Sequence, residues 1–126
     1  MKKLLALLAT AAIAGSVYAG EFPDISVSEL KAAIEKGKVT VIDVNGAASY
    51  KNGHIPSAIA YAAGQIEGKL PKEKDALVVA YCGGPTCNAY SKAAKEAQKL
   101  GYTNVKHLSA GIAGWKAANE KLEKAN

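Results

Sequence analysis

Residues 76–101 read ALVVAYCGGPTCNAYSKAAKEAQKLG and decide the fold. The first six form a short, nearly continuous apolar run, which predicts a strand buried on both faces of a parallel sheet. From Asn88 to Leu100 the apolar residues recur at helical spacing, with Lys and Glu on the opposite face, which predicts a helix closed by Gly101. A strand, a glycine-bearing loop with two cysteines and a helix therefore follow one another directly, and Cys82 stands at the carboxyl end of the strand.

The same alternation continues on both sides of this stretch. Ser26 and Glu29 have the Ser-x-x-Glu spacing of a capping box, which predicts a first helix over 27–36. Further strands are predicted over 39–44, 58–61 and 105–108, and further helices over 45–52 and 112–118. Strands that alternate with helices indicate one α/β domain built on a parallel sheet.

The loop after the predicted strand carries the residues best suited to chemistry. In an open parallel sheet, ligands bind beyond the carboxyl ends of the strands, and the backbone N–H groups of a loop that leads into a helix can hold an anion. Its glycines allow sharp turns and its proline limits its freedom, so that several amides could converge on one sulfur. We therefore predict that Cys82 is a nucleophilic thiolate, with a pKa below the ordinary value of about 8.5. The predicted cradle for this sulfur consists of Gly83, Gly84, Pro85, Thr86 and Asn88, and the backbone amide of Cys87 is expected to be a further donor to it.

The second cysteine of the loop, Cys87, has several interpretations. Two cysteines in an exported protein often form a structural disulfide, although closing so short a ring constrains the unfolded chain by only about 2 kcal/mol. A metal site would need further ligands, and His54 and His107 lie in unrelated segments, so that no metal or other cofactor is predicted. Cys87 as a catalytic partner of Cys82 is a third possibility, because their α-carbons could approach the roughly 4.4 to 6.8 Å that a disulfide requires.

The N-terminal segment has the pattern of an export signal. Lys2 and Lys3 precede an apolar run of fourteen residues, and a small-x-small cleavage site ends at Ala19. The alternative is a retained helix. We predict a signal peptide over 1–19 and a domain over 20–126, which would be periplasmic or secreted. No membrane anchor is predicted after cleavage, because the run is shorter than the roughly 20 residues of a spanning helix.

Composition bears on the partners. The whole chain has a net charge of +5, and all sixteen basic residues are lysines spread along the sequence. Nucleic-acid binding would call for a clustered basic patch, so no nucleic-acid partner is predicted. The absence of arginine also removes planar, two-point recognition of anions. Nothing in the sequence predicts an oligomeric state.

Two groups of residues resemble the signatures of the rhodanese family. The first comprises Val41-Ile-Asp-Val44, Tyr50 and Gly53-His-Ile-Pro-Ser-Ala58. The second comprises Ala93-Ala94, Leu100-Gly-Tyr102, Asn104-Val105, Leu108-Ser-Ala-Gly-Ile112 and Trp115. The similarity covers about residues 24–119. It implies a five-stranded parallel sheet flanked by helices on both faces, and Asp43, His54 and Trp115 as structural residues of the signatures.

The same resemblance implies that Cys82 takes sulfur from a small donor, holds it as a persulfide and passes it to a thiol acceptor or cyanide. Two departures bear on the donor: Asn45 stands where the family usually has arginine, and Cys87 stands where many members close the loop with arginine. Three functions fit this sequence. They are a sulfurtransferase in which Cys87 is a resolving thiol, an exported thiol–disulfide protein that acts on another exported redox protein, and a non-catalytic binding module.

Overall fold

The structure is a computed structural model that describes residues 22–125. Helices and strands alternate along it, and each element predicted above is present with ends that differ by at most two residues. The predicted signal peptide over 1–19 lies outside the described residues. The elements are α1 Val27–Glu35, β1 Thr40–Asp43, α2 Ala47–Asn52, β2 Ile59–Ala60, a 3₁₀ helix Glu67–Lys69, β3 Val78–Tyr81, α3 Tyr90–Lys99, β4 Val105–His107 and α4 Gly111–Ala117.

The capping box predicted for α1 is confirmed. The Ser26 hydroxyl accepts a hydrogen bond from the Glu29 amide, and the Glu29 carboxylate accepts one from the Ser26 amide, both at 3.0 Å. These bonds from Ser26 lower the pKa of Glu29, because they favour its ionised form. Two amides that would otherwise lack partners are thereby satisfied at the start of the helix.

The four strands within residues 22–125 are all parallel, in the order β2-β1-β3-β4. The register pairs Asp43 at the end of β1 with Tyr81 at the end of β3, and Ala80 of β3 with His107 of β4. Because the strands are parallel, their carboxyl ends meet at one edge of the sheet. Cys82 follows Tyr81 at that edge.

The α/β architecture is confirmed, whereas the predicted count of five strands is wrong. The fifth segment forms only a single parallel bridge between Asp24 and His107. It consists of the His107 amide donating to Pro23 O at 2.8 Å and the Ile25 amide donating to His107 O at 2.9 Å. Pro23 has no N–H with which to extend the ladder. On the other side of the bridge, the Ser109 amide donates to the Asp24 carboxylate at 2.8 Å and therefore does not extend the ladder.

Helices cover both faces of the sheet, as the resemblance implies. Alternate residues of β3 face opposite sides: Val78 and Ala80 pack with α3, and Val79 and Tyr81 pack on the side of α1 and α4. Such a strand is buried on both faces, which explains its continuous apolar run. No helix within residues 22–125 has the length and apolar character needed to cross a membrane.

Candidate functional site

Cys82 lies at the carboxyl edge of the sheet and is 2% exposed. Its side chain belongs to the apolar cluster on the α3 side, against which the partly exposed Cys87 also packs. The two α-carbons are 6.3 Å apart and the two sulfur atoms are at bonding distance. The structure therefore brings together the two cysteines that the sequence placed in one loop.

A β-turn returns the chain from Cys82 towards the sheet. The Cys87 amide donates to Gly84 O at 3.1 Å, which closes the turn from Gly84 to Cys87. Pro85 occupies its second position, where the fixed φ of proline suits the common turn types. The turn explains how a loop of only four intervening residues can bring Cys87 back to Cys82.

The start of α4 sets the orientation of the loop. The amides of Ile112 and Ala113 donate to the carbonyl oxygens of Cys82 and Gly83, each at 3.0 Å. No described peptide bond is cis, and in a trans peptide the C=O and N–H groups point in opposite directions. The N–H groups of Gly83 and Gly84 therefore point away from α4.

Four amides of the loop are available to an anion. Within residues 22–125, the N–H groups of Gly83, Gly84, Thr86 and Asn88 donate to no protein acceptor. Successive unengaged N–H groups in a turn form an anion-binding concavity. The expectation that the Cys87 amide is a further donor is wrong, because this amide already donates to Gly84 O in the β-turn. The loop thus retains hydrogen-bond donors that could bind a negatively charged sulfur or an anionic molecule that supplies sulfur.

Gly111 allows this close contact between α4 and the loop. Its φ is +64°, and a Cβ at this position would lie 2.5 Å from Gly83 C and 2.6 Å from Gly84 N. These neighbours are backbone atoms, which cannot rotate aside. Only glycine combines this φ with so close an approach. No pattern in the sequence indicated this packing.

A buried hydrogen-bond network fixes the strand ends next to Cys82. The Tyr81 hydroxyl donates to the Asp43 carboxylate and accepts from the Ile55 amide at 3.0 Å. The other carboxylate oxygen of Asp43 accepts from the Asn45 amide at 2.7 Å. Burial and the Asp43 carboxylate raise the pKa of Tyr81, which keeps its hydroxyl protonated as a donor. The network gives a physical role to Asp43, which the resemblance marks as structural.

Replacing Tyr81 with phenylalanine is expected to lower the free energy of unfolding by about 2 to 3 kcal/mol, because Asp43 and the Ile55 amide each lose a buried partner. Urea titration followed by circular dichroism measures this loss. Tyr61→Phe is the matched control, since the Tyr61 hydroxyl donates to Glu96 at 2.9 Å in a less buried setting. Equal losses in the two variants would contradict the role assigned to the network.

His54 and Trp115 both hold the C-terminal segment. The His54 ring stacks on Tyr50 with centroids 3.7 Å apart, and its backbone exchanges two hydrogen bonds of 2.8 Å with Glu123. The Trp115 indole donates to Lys121 O at 2.7 Å. Both residues thus contact the segment over 121–123.

Asn45, which stands where the family usually has arginine, lies beside the cysteine loop. Its Oδ1 is 3.9 Å from where a Cβ on Gly83 would lie. An amide offers a neutral dipole here, whereas arginine would offer a planar cation. No group of three or more His, Cys, Asp or Glu side chains within residues 22–125 is arranged to hold a metal ion.

His107 is a buried titratable residue that the sequence did not single out for a role. Its ring stacks on Tyr90, the first residue of α3, with centroids 3.4 Å apart and planes at 3°. Within the described chain, its Nε2 is buried and has no hydrogen-bond partner. Burial lowers the pKa of His107, although the nearby Asp24 carboxylate opposes this shift. Burial therefore favours the neutral form of the imidazole.

This burial predicts a loss of stability in acid. The folded-state pKa of His107 lies below its unfolded value of about 6.5, so the unfolded chain binds more protons as the pH falls through that value. The free energy of unfolding should then decrease by at most about 1.4 kcal/mol per pH unit from this residue. The variant His107→Phe keeps an aromatic ring that can stack on Tyr90 but has no group that binds a proton, so it should lack this loss of stability. A melting temperature that falls as steeply with pH in this variant as in the wild type would contradict the prediction.

Comparison with known proteins supports the resemblance read from the signatures. The rhodanese-like domain matches residues 26–118 of this chain. The chain is 29% identical over 107 residues to the thiosulfate sulfurtransferase GlpE of Pseudoalteromonas translucida, covering 82% of this chain and 98% of that protein. It is 34% identical over 113 residues to the HTH-type transcriptional regulator Rv0324 of Mycobacterium tuberculosis, covering 88% of this chain and 50% of that protein. This chain thus spans only half the length of the regulator.

A solved structure agrees with the fold. The crystal structure of the BH2092 protein from Bacillus halodurans is 33% identical and superposes with a TM-score of 0.70, covering 81% of this chain and 77% of that one. The match over residues 26–118 includes both signatures, the cysteine loop and all four strands. The chain therefore belongs to the family of rhodanese-like domains.

Proposed function

We propose that this chain is a sulfurtransferase that carries sulfur as a persulfide on Cys82. The observation that supports this most directly is the position of Cys82 at the carboxyl edge of the sheet, in a loop with four unengaged N–H groups. These amides suit a sulfur that must be anionic both before and after it accepts a second sulfur. Family membership adds support, since a thiosulfate sulfurtransferase is among the relatives.

The first step is a displacement at sulfur. The Cys82 thiolate attacks the sulfane sulfur of a small donor such as thiosulfate. A new S–S bond forms to Cys82, and the donor's own S–S bond breaks with its electron pair on the leaving sulfite. The N–H groups of Gly83, Gly84 and Thr86 can stabilise the persulfide anion that results. An acceptor thiolate then attacks the outer sulfur and regenerates the Cys82 thiolate.

Cys87 adds a second outcome for the same intermediate. The Cys87 thiol can pass its proton to the outer sulfur and attack Cys82 Sγ, which forms the Cys82–Cys87 disulfide and releases the outer sulfur as hydrosulfide. The α-carbon separation of 6.3 Å and the bonding distance between the sulfurs are compatible with this step. We therefore propose Cys87 as the resolving thiol.

Intact-mass analysis of the reduced Cys87→Ser variant tests the proposal. Incubation with thiosulfate, or with an organic persulfide, should add the mass of one sulfur, which dithiothreitol then removes. Serine at position 87 prevents resolution, so the persulfide should accumulate. Cys82→Ser is the matched control and should gain nothing. If the Cys87→Ser variant gains no sulfur from any donor, the sulfurtransferase proposal is wrong.

The sulfur–sulfur contact also favours a second candidate, an exported thiol–disulfide protein that moves reducing equivalents to another redox protein. The reduction potential of the pair separates the possibilities. A potential near about −200 mV fits a redox role, whereas one below about −300 mV fits a permanent structural bridge. Dithiol exchange should vanish in Cys87→Ser, although sulfur loading of Cys82 should persist.

Export belongs to the proposal and depends on residues 1–19 alone. The pattern of that segment supports cleavage after Ala19. Expression of the full chain in a bacterium, followed by mass analysis of the periplasmic fraction, should yield a protein that begins at Gly20. Recovery of the full-length chain from the cytoplasm would contradict export.

A further inference from the structure

We propose that an external thiol reduces the oxidised loop by attacking Cys87, with Cys82 released as the thiolate, and that the protein thereby acts as a thiol-dependent reductase of sulfane sulfur. The geometry of the loop indicates which of the two sulfurs is attacked. The link between this exchange and the release of sulfane sulfur rests on the function proposed above.

Access distinguishes the two sulfurs of the pair. A thiolate attacks a disulfide sulfur in line with the S–S bond, from the side opposite the leaving sulfur. Cys82 is 2% exposed and packs in the cluster that contains Ala80 and Tyr90. Cys87 is partly exposed and lies between two exposed residues, Thr86 and Asn88. In the oxidised loop, an external nucleophile can therefore reach Cys87 more readily than Cys82.

The leaving group favours the same direction. Exchange is faster when the departing thiolate is better stabilised. If Cys87 is attacked, the departing sulfur is Cys82, beside the unengaged N–H groups of Gly83 and Gly84. If Cys82 were attacked, Cys87 would depart, and its own amide is already bound to Gly84 O. Access and leaving-group stability thus act together.

The full cycle balances without any further oxidant. Cys82 takes the sulfane sulfur of thiosulfate and releases sulfite, and Cys87 then attacks Cys82 Sγ and releases hydrosulfide. One external thiolate opens the disulfide at Cys87, forming a mixed disulfide there and the Cys82 thiolate. A second thiolate attacks the external sulfur of that mixed disulfide, which releases the oxidised thiol dimer and the Cys87 thiolate. Overall, thiosulfate and two thiols become sulfite, hydrosulfide, a proton and one disulfide.

The test uses the oxidised protein with glutathione and no sulfur donor. Samples are quenched with acid at early times and digested, and mass spectrometry locates the glutathione adduct. We expect at least ten times more adduct on Cys87 than on Cys82. Equal adducts, a majority on Cys82, or a disulfide that glutathione leaves intact would overturn the proposal.

Two single-cysteine variants provide the calibration and a second measurement. Cys82→Ser and Cys87→Ser are each loaded with glutathione, which shows that both adducts survive digestion. The rate at which a second thiol removes each adduct is then measured. This rate gives the lifetime of each adduct, so that the amounts found in the wild type can be corrected for it. After the wild-type amounts are corrected for these lifetimes, attack at Cys87 should be at least ten times faster than attack at Cys82, and the reverse order would overturn the proposal.

The exchange test and the persulfide test fail independently. A wrong direction of exchange, with normal persulfide formation in Cys87→Ser, would leave the sulfurtransferase proposal standing and remove only the reductase cycle. Normal exchange at Cys87, without any persulfide on Cys82, would instead leave a thiol–disulfide protein that does not handle sulfane sulfur.

Discussion

Replacing Cys82 with serine is expected to reduce sulfur transfer from thiosulfate or a persulfide donor to a thiol acceptor by at least about a thousandfold, because a hydroxyl cannot form the persulfide intermediate. Cys87→Ser should retain transfer to an external thiol within about tenfold of the wild type, since that acceptor can take the sulfur directly. The initial rate of acceptor persulfide formation measures both effects. The two variants therefore separate the nucleophile from the resolving thiol.

The controls address folding as well as chemistry. Cys82 is buried, so a polar hydroxyl in its place can lower stability, and Cys82→Ala provides the same test with an apolar side chain. Circular dichroism and urea titration of each variant show whether the domain stays folded. Folded Cys82 variants that transfer sulfur at the wild-type rate would exclude Cys82 as the nucleophile and favour a non-catalytic domain.

Gly111→Ala is expected to have the largest effect on stability, a loss of about 3 to 5 kcal/mol in the free energy of unfolding. The added Cβ would lie 2.5 Å from Gly83 C, so either the loop or α4 must move. A positive φ adds roughly 1 to 2 kcal/mol of its own for a residue with a Cβ. Because the contact is with the cysteine loop, sulfur loading of Cys82 should decrease as well. Urea titration and intact mass measure the two effects.

Gly37→Ala is the matched control for this prediction. Gly37 has nearly the same φ, +67°, and a Cβ there would meet no atom within 4 Å. Its variant should lose only the roughly 1 to 2 kcal/mol of backbone strain and load sulfur normally. If Gly37→Ala and Gly111→Ala lowered the free energy of unfolding equally, the close contact between α4 and the loop would contribute nothing to stability.

The predicted elements match the structure because their signals are local. The apolar run before Cys82 and the amphipathic segment after it each carry a periodicity that one type of element satisfies. The capping box at Ser26 is equally local, since it needs only residues three positions apart. Each of these patterns is complete within a few residues of chain.

The fifth strand illustrates what the family resemblance could not settle. Residues 23–25 could form a strand only if the backbone N–H groups on both sides of the Asp24–His107 bridge were free to pair with the neighbouring strand. Pro23 lacks an N–H, and the Asp24 side chain takes the amide of Ser109. A family pattern gives the usual number of strands, whereas the hydrogen-bond partners in this chain reduce the fifth to a single pair.

The sequence by itself determined the alternation of strands and helices, the family, and the presence of two cysteines in one glycine-bearing loop after a buried strand. Only the tertiary structure decided that Tyr81 bonds Asp43, that His107 is buried against Tyr90, and that α4 orients the loop through Cys82 and Gly83. The first group depends on residue type and short-range spacing. The second depends on which distant backbone and side-chain groups meet once the sheet has formed, and no spacing along the chain encodes that meeting.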